Sequence, residues 1–494
     1  VLTKTNYIIW RDCHKNAWLK VHKPDIYFAN ELSAFEQSII ETGNEVELLA
    51  RKLYPTGVLV EEKGQEAIAP TQKLLETGEK TIFQPAFEIE NYFAAVDVLK
   101  ISEDGKRCDI FEIKATNEID KKTHFHDVAF QTILLKKYGF EVETVNLIHL
   151  NPEYIRQGEI DLGELFMIED VTEIVEKMLP EVEAEMELAL NYISKPDEPN
   201  GPCDCIYKGR SSHCTTFSYS NPDIPQYGIH DLARIGLSKK KLFELVDGNK
   251  LTLEDVPTDM ELSDTQKNQI WTYLYDKPII SKESISEELD SLIFPLYFLD
   301  YETFPSAIPR FDNYSPYQQI PFQYSLHVLD SPESEPKHFD FLYTSSGDPS
   351  QEFVNAMREH IGPTGSVIVW HKDFECGRNK ELANRIPDSK SFFDNLNERI
   401  YDLEIVFKKQ YYVHKDFKGS SSIKKVLPVL APTLSYKTLN IREGGSAANS
   451  WNVIVSGELS DKEKAQIAQD LKDYCKLDTY AMYAIWHELY KLVN

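Results

Sequence analysis

Short apolar runs punctuated by polar residues dominate the first third of the chain, the pattern of strands with one or two buried faces. They lie at Phe87–Ile89, Tyr92–Ile101, Cys108–Ile113 and Val142–Leu150. The stretch from about Glu31 to Arg51 spaces apolar positions among glutamates as a helix does. Between the last two runs, Val128 to Tyr138 reads as a helix stopped by Gly139. A long helix begins near Val171 and ends at the Pro- and Gly-containing stretch Lys195 to Pro202. A short helical piece around His230 to Val246 precedes a linker from about Lys277 to Ser291. Beyond it, the apolar runs Leu296–Leu299 and Val367–Trp370 predict strands, and Ile467, Leu471, Tyr474, Leu477, Met482 and Ile485 recur at near-helical spacing. Strands alternating with helices predict an α/β fold in two main parts, over residues 1–227 and 291–494, joined by a helical hairpin and linker over 228–290.

Length agrees with that division, since 494 residues exceed one ordinary core. The hydrophobic content of 42% is that of packed globular domains rather than disorder. No apolar run nears the roughly 20 residues of a membrane span, and no signal-peptide core opens the chain, so a cytoplasmic protein without membrane association is expected. The chain opens on Val1 rather than Met. A net charge of −27 argues against generic electrostatic binding to nucleic acid. It leaves room for a carboxylate-rich metal site beside a local basic track. Much of the acidity, from Glu159 to Glu187, reads as a solvated helical face. Seven cysteines, an odd number, make a disulfide framework a poor expectation and leave metal, cluster or burial.

The chemistry of the second part is carried by acids placed after apolar runs. Asp300 and Glu302 lie two apart at a strand end and therefore share a face. Phe374-Glu375 follows the run Val367–Trp370, with Asp373 as a competing acid. Tyr474 and Asp478 lie four apart and share a helix face. Four carboxylates delivered this way can hold two Mg²⁺ or Mn²⁺ ions, about 4 Å apart, on a phosphodiester, with the phenol orienting water. In this order the motifs resemble the DnaQ-like exonucleases of the RNase H-like fold, in the subgroup with a tyrosine four before the last aspartate. The resemblance covers roughly Ile293 to Asn494. It implies catalytic and metal-binding roles for Asp300, Glu302, Glu375 and Asp478, catalysis by Tyr474, and 3′ to 5′ trimming of a nucleic-acid strand. The segment Phe417 to Pro428 is similar to the signature of an uncharacterised bacterial family of domains of unknown function with this nuclease fold. Its lysines and hydroxyls read either as holders of substrate phosphates or as a loop before a helix.

In the first part, Asp97 would close one strand's polar face, while Glu112 and Lys114 lie two apart on the next. An Asp and a Glu can bind a divalent metal, and a lysine beside them can orient water. This arrangement, with the opening Tyr7 to Leu19 and Cys13, resembles RecB-like and CRISPR-adaptation nucleases of the restriction-endonuclease type that carry an iron–sulfur cluster. The resemblance spans about Leu2 to Cys214. It implies catalytic roles for Asp97, Glu112 and Lys114, metal binding by the two acids, and a [4Fe–4S] cluster on Cys13, Cys203, Cys205 and Cys214, with Zn²⁺ as the alternative. The chain departs from that family where Gln131 is followed four residues on by Leu135 rather than a tyrosine. It departs again where Glu45 and Glu47 stand in place of a histidine. Glu88 is a further candidate acid, and Cys108, Cys376 and Cys475 read as packing residues. Ile229 to Ser238 resembles a helix–hairpin–helix, or is a plain helical link. The expectation is a metal-dependent nuclease acting on nucleic acid, DNA ends or single strands, with protein partners unspecified. The alternative is one exonuclease whose iron–sulfur domain is only a nucleic-acid clamp.

Overall fold

The computed structural model describes residues 1–29, 32–457 and 459–494. It is a mixed α/β structure that divides into two compact units. The first comprises Val1–Ile224 and Ala307–Gln318; the second comprises Pro225–Ser306 and Gln319–Asn494. The region 228–290 therefore belongs to the second unit, and the short segment 307–318 to the first.

The first unit holds a six-stranded sheet whose strands lie in chain order: β1 (Val58–Leu59), β2 (Thr81–Phe83), β3 (Val98–Ile101), β4 (Arg107–Lys114), β5 (Glu141–Leu150) and β6 (Phe166–Asp170). Pairs β1–β2 and β4–β5 are parallel and the others antiparallel. A parallel pair needs a crossover; after helix α1 (Ala34–Ala50), helix α2 (His124–Tyr138) supplies it between β4 and β5. This helix is apolar nearly all round, and Phe130, Leu134 and Leu135 are fully buried between the sheet and the long helix α3 (Thr172–Ile193). Gly139 ends α2 in the left-handed conformation its stop requires. The helix expected from about Glu31 runs over Ala34–Ala50, capped reciprocally by Ser33 and Glu36; Glu31 itself lies outside the described residues.

The run Tyr92–Ile101 is not one strand. It breaks at Val96-Asp97, so that Tyr92–Ala95 pairs in a separate three-stranded sheet while β3 pairs in the six-stranded one. Asp97 causes the break by turning its carboxylate onto the backbone N–H of Ile113, 2.8 Å away. Segment 307–318 completes one of this unit's cores, where Ala307 and Ile308 join Phe166, Tyr154 and Leu150. Arg156 donates to the carbonyls of Pro309 (3.0 Å) and Arg310 (2.7 Å).

The second unit is built on a five-stranded sheet made of β7 (Leu296–Pro305), β8 (Gln319–Leu329), β9 (Lys337–Leu342), β10 (Val367–Val369) and β11 (Ile400–Asp402), in spatial order β9-β8-β7-β10-β11. The β7–β8 and β8–β9 pairs are antiparallel; β7–β10 and β10–β11 are parallel. One face packs on Phe353, Leu382 and Phe393, and the other on the 33-residue terminal helix over Asp461–Val493. The stretch expected as a linker is a strand at Ile279–Ile280 and a helix over Lys282–Asp290. Its Ser- and Glu-rich composition hides two apolar residues four apart, Ile285 and Leu289, which the core buries. The 229–253 region forms its own small apolar cluster around Leu242 and Leu245. Among the described residues no helix is long and apolar enough to cross a membrane.

Candidate functional site

Strand alternation decides where the acids of the second unit point. Tyr301 turns to one side of β7, packing on Phe353 and donating to Asn379 Oδ1 at 2.9 Å. Asp300 and Glu302 turn to the other. There they line a cleft of about 310 Å³ together with Tyr474, Asp478 and Lys424. Tyr474 and Asp478 come from the terminal helix, which is fastened to β8 at three points. Gln323 donates to the Leu471 carbonyl (2.9 Å), and Thr479 hydrogen-bonds both Ser325 (2.7 Å) and His327 (2.8 Å). These bonds set the rotation of the helix and so aim its acid at the strand.

Burial lifts the carboxyls of Asp300 and Glu302 well above the usual range, and the neighbouring Asp478 lifts both further. Burial also pushes Asp478 up, to about 6, against hydrogen bonds from Tyr436 and Tyr474 and the charge of Lys424. Tyr436 Oη donates to Asp478 Oδ1 at 2.5 Å. Tyr474 is held neutral, its phenol raised by burial and by the three acids. Glu375, in the first turn of the helix over Lys372–Arg385, is 2% exposed, and its Oε2 has no hydrogen-bond partner among the described residues. Burial raises it to about 8, and its charge in turn raises Asp300. The competing Asp373 is exposed. Asp300, Glu302 and Asp478 crowd one cleft, and Asp300, Glu302 and Cys475 offer ligand atoms within 4.8 Å of one another, a donor set that can hold a divalent cation; Glu375 lies outside the lining of that cleft.

Three further residues belong to this site and carried no local sequence signal for it. Cys475, expected as packing, places its thiol within 4.8 Å of ligand atoms of both Asp300 and Glu302. Tyr436 reaches Asp478 from 42 positions away in sequence. Asp402, at the end of β11, accepts from the backbone N–H groups of His371 and Glu404 at 3.1 Å each, and its negative charge raises the Glu375 carboxyl. In the Phe417 to Pro428 segment, Lys424 lines the cleft, and Ser421 donates to Glu404 at 2.6 Å.

The first unit gathers Asp97, Glu112 and Lys114 as a second cluster. Glu112 Oε1 accepts from Lys114 (2.8 Å) and from Lys4 (2.9 Å), and its Oε2 from Gln131 (2.7 Å). Lys114 also reaches Asp127 at 2.6 Å. Gln84 bridges Asp97 (3.0 Å) and Glu47 (2.5 Å). Burial would raise Glu112, but Lys114 and Lys4 outweigh it and hold the carboxyl below its usual range. Asp97 is pushed to about 7 by burial and by Glu112. Gln131 and Glu47, the residues at the two departures from the family pattern, thus both sit in the cluster. Glu88 does not; it accepts from Gln65 at 2.9 Å. Lys4 and Asp127 were not singled out, because Lys4 is 108 residues from its partner Glu112.

Cys13, Cys203, Cys205 and Cys214 converge, with one sulfur from each lying within 4.8 Å of the others. They are surrounded by Phe217 and Ile224. Cys203 is held below the usual thiol range by hydrogen bonds from Cys13, Cys205 and Cys214, and it accepts from Asn221 Nδ2 at 3.2 Å. Four such sulfurs can hold a metal. Around one tetrahedral Zn²⁺, sulfurs stand about 3.8 Å apart, which this spacing meets. On a [4Fe–4S] cluster each thiolate takes its own iron, so the sulfurs would have to open to about 6 Å. The centre ties the chain's first helices to residues 203–214, and His14 Nδ1 reinforces the tie through Asp204 at 2.7 Å.

Comparison with known proteins finds the same region of interest. Residues 297–422, which carry Asp300, Glu302, Glu375 and Asp402, match the family described as a domain of unknown function, DUF2779. An uncharacterised protein of Mycoplasma pneumoniae, the MG366 homolog, is 31% identical over 206 residues, 38% of this chain and 31% of that protein. Uncharacterised protein UU173 of Ureaplasma parvum is 27% identical over 269 residues, 50% of this chain and 39% of that protein. Uncharacterised protein MG366 of Mycoplasma genitalium is 29% identical over 211 residues, 38% of this chain and 31% of its own length. Each match takes in well under half of the relative. This chain is thus similar, over part of its length, to longer mycoplasmal and ureaplasmal proteins that are themselves uncharacterised.

Proposed function

We propose that this chain is a metal-dependent nuclease that hydrolyses phosphodiester bonds at the cleft of its second unit, by trimming nucleic-acid ends. The observation that carries the reading is the meeting of Asp300 and Glu302 from a strand with Tyr474 and Asp478 from the last helix, with a buried Glu375 whose charge reaches Asp300. The order of these motifs is that of DnaQ-like exonucleases on an RNase H-like sheet, and 3′ to 5′ polarity on DNA follows from that likeness. Bound Mg²⁺ or Mn²⁺ supplies charge stabilisation for the attacking and leaving oxygens. Asp300, Glu302, Glu375 and Asp478 are the residues to hold it. Tyr436 keeps Asp478 ionised and oriented, and the neutral Tyr474 phenol, which donates to Asp478, can align a water through its oxygen lone pairs. Lys424, at the rim, offsets negative charge from a phosphate.

For the first unit the reading is a RecB-like domain, stapled by its thiolate metal centre, that grips nucleic acid. One observation favours the clamp over a second catalyst. Lys4 and Lys114 both donate to Glu112, so a cation already occupies the face of the acid that a metal would need. The test is cleavage of end-labelled single- and double-stranded DNA and RNA with Mg²⁺ or Mn²⁺. Asp300→Ala should abolish end trimming, by more than about a hundredfold. Lys114→Ala should leave it. Trimming by Asp300→Ala at the parent rate would end the nuclease reading, and loss of a distinct activity in Lys114→Ala would restore the second catalyst.

A further inference from the structure

A second hollow of the same unit, about 930 Å³ in volume, has no role in the reading above. We infer that it binds the sugar–phosphate backbone of a single nucleic-acid strand whose end lies in the acidic cleft. The inference rests on the proposed nuclease function and names how that site would hold its substrate.

The two hollows are neighbours along the chain. Trp370 lines the cleft and His371 the larger hollow; Lys424 lines the cleft and Ser421 the hollow. Three residues span about 10 Å at most, roughly three nucleotides at a rise of about 3.4 Å. The charge is opposite to that of the chain as a whole. Arg234, Lys241 and Lys408 line the hollow against a single acid, Glu404. Glu404 is already bound to Lys408 and Ser421, at 2.6 Å each. Arg234 and Lys241 have no carboxylate partner among the described residues, in a chain where 80 acids face 53 lysines and arginines. Unpaired cations beside hydroxyls such as Thr265 and Ser420 are what phosphate oxygens require. Leu237, on the same lining, is 83% exposed and offers apolar surface to a sugar or base.

The hollow is also built in advance. Arg234 sits in the left-handed backbone region at φ 56°, which costs a non-glycine residue about 1 kcal/mol or more. It is kept there because its neighbours are bolted to the helix over Asp264–Tyr275. Ala233 N–H donates to Gln269 Oε1 (2.9 Å), Gln266 donates to the Ala233 carbonyl (2.9 Å), and Gln269 donates to the Asp231 carbonyl (2.9 Å). The same Gln269 braces the opposite wall. A Cβ on Gly419 would stand 2.4 Å from Gln269 Oε1, so the loop approaches this glutamine as closely as only glycine allows. A buried amide therefore fixes the spacing between Arg234 and the Ser420 loop.

The experiment is fluorescence anisotropy of a labelled single-stranded oligonucleotide with the full chain in Ca²⁺, across a salt series. Each phosphate contact contributes about 0.7 to the slope of log affinity against log salt for single strands, so Arg234→Ala/Lys241→Ala should reduce the slope by about 1.4 and weaken binding about 25-fold at 0.1 M salt. Arg234→Lys/Lys241→Arg should retain most of both, which separates charge from folding. An unchanged slope in the alanine pair overturns the inference, even if Asp300→Ala has lost cleavage. A reduced slope supports it even if the parent protein cleaves nothing, in which case the nuclease reading fails alone. Competition by inorganic phosphate or AMP as strong as that by the oligonucleotide would make the hollow a mononucleotide pocket and also overturn it.

Discussion

Glu375→Gln should make the metal-free protein more stable while removing its activity. The side chain is 2% exposed, Oε2 has no partner among the described residues, Asp402 stands nearby, and Arg378 offsets the charge only partly. Its carboxyl rises from the ordinary 4.5 to about 8. The folded state therefore holds a proton that the unfolded chain has released, so stability falls as pH climbs from about 4.5 to about 8 and levels off above. Ionising this group in the folded state costs on the order of 5 kcal/mol. An amide of the same shape escapes the cost, but it brings its own unsatisfied polar atoms, which take back about 1–2 kcal/mol. A net gain of about 3 kcal/mol corresponds to a rise in Tm of roughly 6–12 °C for a unit of this size. Scanning calorimetry in EDTA should show the two proteins melting together near pH 5 and diverging toward pH 9. Adding Mn²⁺ should then raise the Tm of the parent more than that of Glu375→Gln, because only the carboxylate gains a ligand. A gap that does not widen with pH, or equal responses to Mn²⁺, would refute the assignment of Glu375 as a buried acid awaiting a cation.

Three other outcomes follow from the geometry. Tyr474→Phe should lower kcat about tenfold to a hundredfold with little change in substrate affinity, read by single-turnover cleavage, since the phenol donates one hydrogen bond at the reacting end; a change confined to affinity would place the tyrosine in binding. Lys4→Met should destabilise the first unit by about 1–3 kcal/mol in urea unfolding, because it strips one of two lysines from the buried Glu112 and reaches Asp127 at 3.2 Å; equal stability would mean that Lys114 alone satisfies the acid. Cys205→Ser should release the bound metal and expose residues 203–214 to protease, with elemental analysis and visible absorbance on the parent distinguishing colourless zinc from a brown iron–sulfur centre.

How much of this was legible depended on whether a signal was local. Asp300 with Glu302, and Tyr474 with Asp478, announce themselves because strand and helix periods place each pair on one face. The four cysteines are legible as a set, since few other chemistries use three thiols within twelve residues, but not the spacing of their sulfurs. The choice between Asp373 and Glu375 needed the structure, which buries the second and leaves the first exposed. Tyr436, Asp402 and Lys4 were invisible for a common reason. Each acts across tens of residues or more, and nothing in its neighbours distinguishes it from an ordinary surface residue. Tyr92–Ile101 reads as one strand because it is apolar nearly throughout; the interruption comes at Val96-Asp97, where Asp97 accepts from the Ile113 N–H on another strand. The Lys282–Asp290 helix was missed because two apolar residues are the least amphipathic signal a helix can give.

The excursion of residues 307–318 bears on how the protein can be divided for study. A fragment ending at Ile224 would lack Ala307 and Ile308 from the core around Tyr154 and Phe166, and would strip Arg156 of the carbonyls of Pro309 and Arg310. Such a piece should express poorly or aggregate through the uncovered patch, and a peptide of residues 307–318 supplied in trans should rescue it. The two halves are consecutive on paper yet interleaved in the chain, so dissection at a single peptide bond removes part of one in the act of isolating it.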